Sequence, residues 1–470
     1  MTGDEGTCDD AEEGHATTTS TPASDTRTEQ DTHTGGAEET GRRHSMFRSL
    51  RIRNYRLFAV GQVISNSGTW MQRIAQEWLV LQLSGGSGVA LGIATALQFL
   101  PMLVLGLWGG ALADRFPKRR LLLATQILMG LLALGLGVLA TLGTAEVWHV
   151  YVFALGLGLV TVVDNPVRQS FVIEMVGRQD LPNAVALNSA GFQLGRVVGP
   201  AVAGLLIGLV GSGPVFLINA ASFVAVITGL LMMRPEELHT GDPASRSKGQ
   251  VREGLRYIAG RRDLTLLLAM IAFVQLFGSN VQTQLALMVN NVFRTGAEAF
   301  GLAATFLAVG ALSGALLAAR REAPRLRTVV LGAFLFGVLQ IVAGFMPGYV
   351  PFLLALVPMG ICFMTFTTSM NAYFQLNVEP GMRGRVMAMY MLVFLGVSPI
   401  GAPIVGVLAD VFGPAVSMVV GGAVSALVAA AVTAILGRRL GVGVRLTAHR
   451  PFVEVTRRSA AESPRSDQEA

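Results

Sequence analysis

The sequence predicts an all-α integral membrane protein, with twelve transmembrane helices in two six-helix halves. Three observations carry this. Of 470 residues, 52% are hydrophobic and only 14% charged, at a mean hydropathy of +0.54, which the surface of a water-soluble domain does not accommodate. Twelve apolar stretches recur, each close to the ~20 residues that cross a hydrocarbon core of about 30 Å, and one long polar break divides them six and six. Lysine and arginine are confined almost entirely to alternate loops.

Residues 1–46 are rich in Thr, Glu, Asp, Gly and Ser and lack apolar periodicity, so they read as a disordered acidic tail. Within residues 1–41, eleven Asp or Glu face one Arg, leaving the remainder of the chain strongly basic. No positively charged start precedes a short apolar core and cleavage site, so the tail does not read as a secretory signal. The first half, 47–233, holds apolar runs at 57–83, 88–112, 120–143, 147–167, 184–210 and 214–233. A cytoplasmic linker at 234–263 contains an amphipathic segment from Lys248 to Arg262 that reads as lipid-contacting or as a plain connector. The second half, 264–436, holds runs at 264–291, 298–319, 328–346, 350–373, 385–410 and 414–436. Residues 437–470 form a basic tail with seven arginines. Turns between runs are short enough to force antiparallel neighbours.

Orientation follows from the loops. Those after even-numbered spans through the tenth carry 19 Lys or Arg, and those after odd-numbered spans carry only Arg294. Both termini are then expected in the cytoplasm, and the protein in the cell membrane. The two cysteines, Cys8 in the tail and Cys362 in a span, have no metal-ligand spacing. No basic cluster alternates with aromatics, so nucleic acid is not an expected partner. No Ser, His and Asp set lies in the spans, and no phosphate-binding G-x-x-x-x-G-K-[ST] loop occurs, so neither an enzyme nor direct ATP coupling is expected, and no cofactor. His149 reads as interfacial.

The halves echo each other. Gln169, Gly195, Gly199-Pro200 and Gly204 align with Gln375, Gly396, Gly401-Ala402-Pro403 and Gly406, the pattern of parallel repeats with a site between them at mid-membrane. The loop after span 2, Gly110-Ala-Leu-Ala-Asp114-Arg115, aligns with Gly314 through Arg320-Arg321, which has no aspartate. Gly110 through Asp114-Arg115-Phe-Pro117-Lys118-Arg119-Arg120 resembles the signature between helices 2 and 3 of the major facilitator superfamily. Gly191, Gly195, Gly199-Pro200 and Gly204 resemble the helix 5 motif of its drug/proton antiporters. Gly68-Thr69-Trp70-Met71-Gln72-Arg73 and Asp164-Asn165-Pro166 through Arg168-Gln169 resemble its siderophore and macrolide exporter branch. Pro117 replaces the usual glycine, Lys118 the usual arginine, and Ala203-Gly204 the usual glycine pair, so the guanidinium geometry is lost at 118.

The resemblance implies a conformational latch of Gly110, Asp114, Arg115, Lys118 and Arg119, with Asp164 pairing to Lys118 or Arg119; solvated loop charges are the plain alternative. Gly195, Gly199, Pro200, Gly204, Gly401 and Pro403 read as hinge positions or as close packing. Intramembrane charges are functional hypotheses by default, and Arg73 and Glu77 share one face of span 1. Glu77 is the expected proton-coupling carboxylate, with a static Arg73–Glu77 pair as the alternative and Asp164 as its rival. The polar stripe Gln62, Ser65, Asn66, Thr69, Gln72, Arg73 and Gln76 must face water or protein. With Gln275, Asn280, Gln282 and Gln284 of span 7 it suggests an amide-rich cavity wall. Arg196 on span 5 is a further intramembrane charge expected in the cavity, and Phe99, Met102, Phe192, Met288, Phe363, Met364, Phe366 and Tyr373 are expected opposite, a surface suited to a bulky amphipathic compound. The expected function is a monomeric, proton-coupled exporter of a hydrophobic or amphipathic molecule such as a drug, macrolide or siderophore. An uptake symporter of the same fold, and a non-transporting sensor or lipid-handling protein, are the alternatives.

Overall fold

The computed structural model describes residues 47–239, 250–278, 280–320, 325–439, 442–446 and 453–457. Side chains at 107, 111, 113, 114, 250–252, 254 and beyond 436 fall outside this description, as do the acidic tail and most of the basic one. Among the described residues, ten helices are long and apolar enough to cross a membrane. Span 1 (Arg53–Leu83) is not among those ten, although its 31 residues reach about 46 Å at 1.5 Å per residue. Its polar stripe lowers the hydropathy without shortening the helix.

Val147–Val210 runs for 64 residues but is broken at Gly177, whose φ of +68° suits glycine alone, and the two limbs are spans 4 and 5. The apolar runs leave 168–183 as an expected loop. The polar residues there instead extend both helices beyond the apolar stretch, where hydropathy cannot separate helix from loop. Span 2 is Gly88–Arg115, span 3 Lys118–Thr141 and span 6 Ser212–Leu231.

In the second half, span 7 is Arg262–Gly278 continued by Val281–Leu287 and a π-helical turn, Met288–Val292. Spans 8, 9 and 10 are Ala297–Ala319, Leu326–Gly344 and Tyr349–Asn377. Span 11 is Pro380–Gly396 followed, after a break at Val397, by Ser398–Phe412, and span 12 is Pro414–Arg439. A short connector helix, Gln250–Gly260, precedes span 7 and is tied to span 11 by Glu253–Arg385 at 3.0 Å. After span 12 the basic segment holds an antiparallel strand pair, Val442–Leu446 with Val453–Arg457, which the sequence reading did not anticipate.

The outward faces are apolar, with Leu131, Val152, Leu205, Leu209, Phe345, Leu354 and Leu427 exposed as lipid-facing residues should be. The halves meet along two seams related by the internal repeat: span 2 crosses span 11, and span 8 crosses span 5. Both are built on small residues. A Cβ on Gly92 would lie 2.5 Å from the Ala402 carbonyl oxygen, and one on Gly301 would lie 2.4 Å from that of Pro200. Both seams lie toward the arginine-poor end of the bundle. There the Asp410 carboxylate on span 11 accepts hydrogen bonds from Ser87 Oγ (2.9 Å), Gly88 N (2.6 Å) and Val89 N (3.0 Å), capping the start of span 2 in the opposite half. Asn291 donates to the Gly86 carbonyl at 2.9 Å beside it.

Candidate functional site

Between the halves lies a cavity of about 520 Å³. Spans 1, 2 and 5 contribute Arg73, Phe99 and Arg196, span 7 contributes Gln275, and spans 10 and 11 supply the rest of the wall, including Phe363, Thr367, Asn371, Tyr390 and Phe394. Arg73 stands ten residues, about 15 Å, from the end of span 1 at Leu83, half the thickness of a hydrocarbon core. A smaller chamber of about 120 Å³ shares Arg73, Arg196 and Phe363 and adds Trp70 and Gln282. A third pocket of about 220 Å³ lies between spans 1, 4 and 5, nearer the arginine-rich end.

The charge in the central wall is cationic. The Arg73 guanidinium lies 5.5 Å from the Trp70 ring centroid and 5.3 Å from that of Phe99, while Arg196 lies 5.9 Å from Trp70. Gly199 makes this possible: a Cβ there would stand 2.6 Å from Trp70 Cβ. Arg73 Nε reaches Glu77 Oε1 at 3.5 Å, a long contact, and Glu77 is buried with Oε2 lacking any partner among the described residues.

The expected cavity residues divide three ways. Phe99, Arg196, Gln275 and Phe363 line the central cavity and Gln282 the small chamber, with Met364 also central. Gln62, Asn66 and Phe192 line the side pocket instead, where Phe192 packs edge-on to Trp70. The others belong to neither wall. Gln76 is buried and donates to Gln98 at 3.0 Å, Thr69 bonds the Ser65 carbonyl, and Met102 is half-buried in span 2. Gln284 takes part with Gln340 and the Ser417 carbonyl, and Asn280 donates to Leu276 and Ser398 carbonyls. Phe366 and Met288 are core residues, and Tyr373 is only partly buried. The amide-rich wall is therefore corrected in part: Gln76 and Gln284 pair with other amides between helices and Asn280 with backbone carbonyls, whereas Gln275 stays on the central wall, which is otherwise largely aromatic and hydroxylic with two guanidiniums and Asn371.

At the arginine-rich end the expected pairings are also corrected. Fully buried Asp164 pairs with Arg168 one turn along its own helix, and accepts from Thr125 Oγ1 (2.8 Å) and Gln126 Nε2 (2.7 Å). Arg168 also donates to Gln62 at 2.7 Å. Lys118 pairs with Glu174, and Arg119 donates to the carbonyls of Leu230 (2.8 Å) and Leu231 (3.1 Å), closing the C-terminal end of span 6. Arg115 is exposed, Gly110 is buried, and the Asp114 side chain lies outside the described residues. Gly109 makes the tightest approach of this segment, with a Cβ there meeting the Val162 carbonyl at 2.1 Å.

At the expected hinge, Gly177 is the position of Val147–Val210 that leaves helical dihedrals, so Gly195, Gly199, Pro200 and Gly204 stay helical. In this conformation they sit at close helix contacts. Gly195 abuts Asn66, and Gly204 abuts Gly301. Gly401 abuts the Leu276 carbonyl, and Pro403 lies against Gly92. The residues missed from sequence are Thr367, Thr368 and Asn371 with Tyr390, Phe394 and Ser398. Met364, Thr367, Thr368 and Asn371 follow helical i, i+3, i+4, i+7 spacing, a stripe the sequence displays.

Two pseudo-symmetric helical halves enclosing a mid-membrane cavity define a secondary-transporter architecture. The chain belongs to the transmembrane secretion effector family of the major facilitator superfamily, whose profile matches residues 44–448. It is 27% identical over 352 residues to the staphyloferrin A transporter of Staphylococcus aureus, covering 74% of this chain and 87% of that one. It is 27% identical over 370 residues to the multidrug efflux pump Tap of Mycolicibacterium fortuitum (76% and 89% covered), and 21% identical over 375 residues to macrolide efflux protein A of Streptococcus pyogenes (78% and 92%). A bacterial homologue of the lysosomal transporter Spinster, solved in an inward-facing, unoccupied conformation, shares the fold with a TM-score of 0.65 at 17% identity, covering 82% of this chain and 97% of that one. The protein is thus a multi-pass membrane transporter with efflux-type relatives.

Proposed function

We propose that this transporter exports an amphipathic small molecule from the cytoplasm in exchange for protons, with Glu77 as the coupling carboxylate. The observation that carries the reading is the pairing of a mid-membrane cavity with a buried carboxyl whose Oε2 has no partner among the described residues. That oxygen has room for a proton, while Oε1 faces Arg73, which itself lines the cavity. Loading the cavity and titrating Glu77 therefore share one guanidinium. Asp164, the rival, is fully committed to Arg168, Thr125 and Gln126. The names of the relatives favour efflux.

Placing the arginine-rich loops in the cytoplasm puts both seams and the Asp410 cap on the outer side. The cavity then communicates with the cytoplasm, the side from which an exporter loads. The acidic and basic tails are cytoplasmic in this orientation. The test is substrate-driven proton movement in proteoliposomes. Glu77→Gln keeps shape but cannot titrate, and it should retain substrate binding while losing dependence on a pH gradient. Unchanged coupling in that variant would remove Glu77 from the mechanism.

A further inference from the structure

We propose that the cargo carries an anionic group, held by Arg196 together with Arg73 over the ring of Trp70. This rests on the reading of the central cavity as the transport site, but not on the direction of transport. Among the described residues, Arg73 and Arg196 are the charged residues in the walls of both the central cavity and its side chamber. Arg73 has Glu77 as a partner, whereas Arg196 has no carboxylate partner among the described residues. Two guanidiniums against one carboxylate leave one positive charge unbalanced at mid-membrane, where an uncompensated charge is costly. A monoanion bound between them, with Glu77 ionised, balances the cavity.

The geometry suits such a ligand. Both guanidiniums lie near the Trp70 ring, at 5.5 and 5.9 Å from its centroid. A guanidinium resting on an aromatic surface keeps N–H edges free for a planar, bidentate acceptor. The aromatic remainder of the wall, Phe99, Phe363, Tyr390 and Phe394, takes an apolar body, and Thr367, Thr368 and Asn371 offer hydrogen bonds beside it. The cargo class is therefore an amphipathic acid, with a carboxylate, sulfonate or phosphate on a hydrophobic frame.

Three probes of matched size test this: 1-pyrenesulfonate, the neutral 1-pyrenesulfonamide, and a pyrenylmethyl trimethylammonium. Binding to the purified full-length chain is read by quenching of tryptophan fluorescence, and movement is read in proteoliposomes. The wild type should bind the sulfonate at least tenfold more tightly than the sulfonamide and the cation most weakly. Arg196→Gln should bring sulfonate and sulfonamide within about twofold while still binding the sulfonamide, and Arg196→Lys should keep part of the preference. Equal affinity of the wild type for sulfonate and sulfonamide would overturn the anionic assignment while leaving the cavity a transport site. An unchanged ratio in Arg196→Gln would overturn the role of Arg196. Failure to bind or move any of the three would overturn both the assignment and the cavity reading beneath it.

Discussion

Asp410 should set how readily the arginine-poor end of the transporter opens. Its carboxylate belongs to span 11, yet its three donors, Ser87 Oγ, Gly88 N and Val89 N, belong to the first turn of span 2 in the other half. These bonds must break whenever the halves part there, so they stabilise one conformation only. An acidic cap on a helix N-terminus is worth about 1–2 kcal/mol, and the exposure of Asp410 argues against more. Asp410→Ala should therefore shift the equilibrium toward opening at this end by about 5–30-fold. Asp410→Asn keeps an acceptor without the charge and should fall between. The shift is measurable with spin labels at Leu83 and Val411, both exposed and in opposite halves, in a background lacking Cys8 and Cys362. The long-distance population should rise in Asp410→Ala and less in Asp410→Asn. An unaltered distance distribution in Asp410→Ala would remove the Asp410 cap from the closure and leave the seams as the whole of it.

Four further outcomes are expected. Asp164→Asn removes one member of a buried ion pair, and with Arg168 partly exposed the cost sits near about 3 kcal/mol; thermal unfolding in detergent should shift down clearly, with Glu77→Gln as the comparison that shifts little. Gly401→Ala would put a methyl 1.9 Å from the Leu276 carbonyl, so spans 7 and 11 must separate; lowered stability and lost transport should appear together, and wild-type values for both would contradict the close packing. Asp114→Asn should insert normally but turn over at least tenfold more slowly in an efflux assay, whereas Lys118→Arg should keep its rate and its pairing with Glu174. Deleting residues 2–40 removes ten net negative charges but no span, and transport at equal membrane levels should survive.

The spans were legible because hydrophobic length is a local property. What a polar residue faces is not local. The span 1 stripe announces that those positions avoid lipid, but only the packed structure shows Gln72 meeting Asn219, Gln76 meeting Gln98 and Gln62 meeting Arg168. Amides able to pair across helices look the same in sequence as amides that line water. The loop expected at 168–183 failed for a related reason, since hydropathy marks where lipid ends and not where a helix ends. In contrast, Arg73, Arg196, Phe99 and Phe363, which line the central cavity, stand out in sequence because charge and aromatic bulk contrast with a thinly charged membrane segment.

An anionic cargo also decides how the direction of transport is read. Moving one charge across 100 mV is worth about 2.3 kcal/mol. Export of a monoanion in exchange for an incoming proton carries two charges per cycle in the same electrical sense, about 4.6 kcal/mol per 100 mV, or roughly three powers of ten in gradient. Uptake of that anion together with a proton moves no net charge. The two directions therefore differ most in their response to an imposed potential, not to pH. In proteoliposomes with a potassium diffusion potential and no pH gradient, proton exchange with 1-pyrenesulfonate should be accelerated by the potential and its sign should set the direction of flux. A flux that follows the pH gradient and ignores the potential would identify cotransport in one direction, and the export reading would fall while the cationic cavity built by Arg73 and Arg196 would stand.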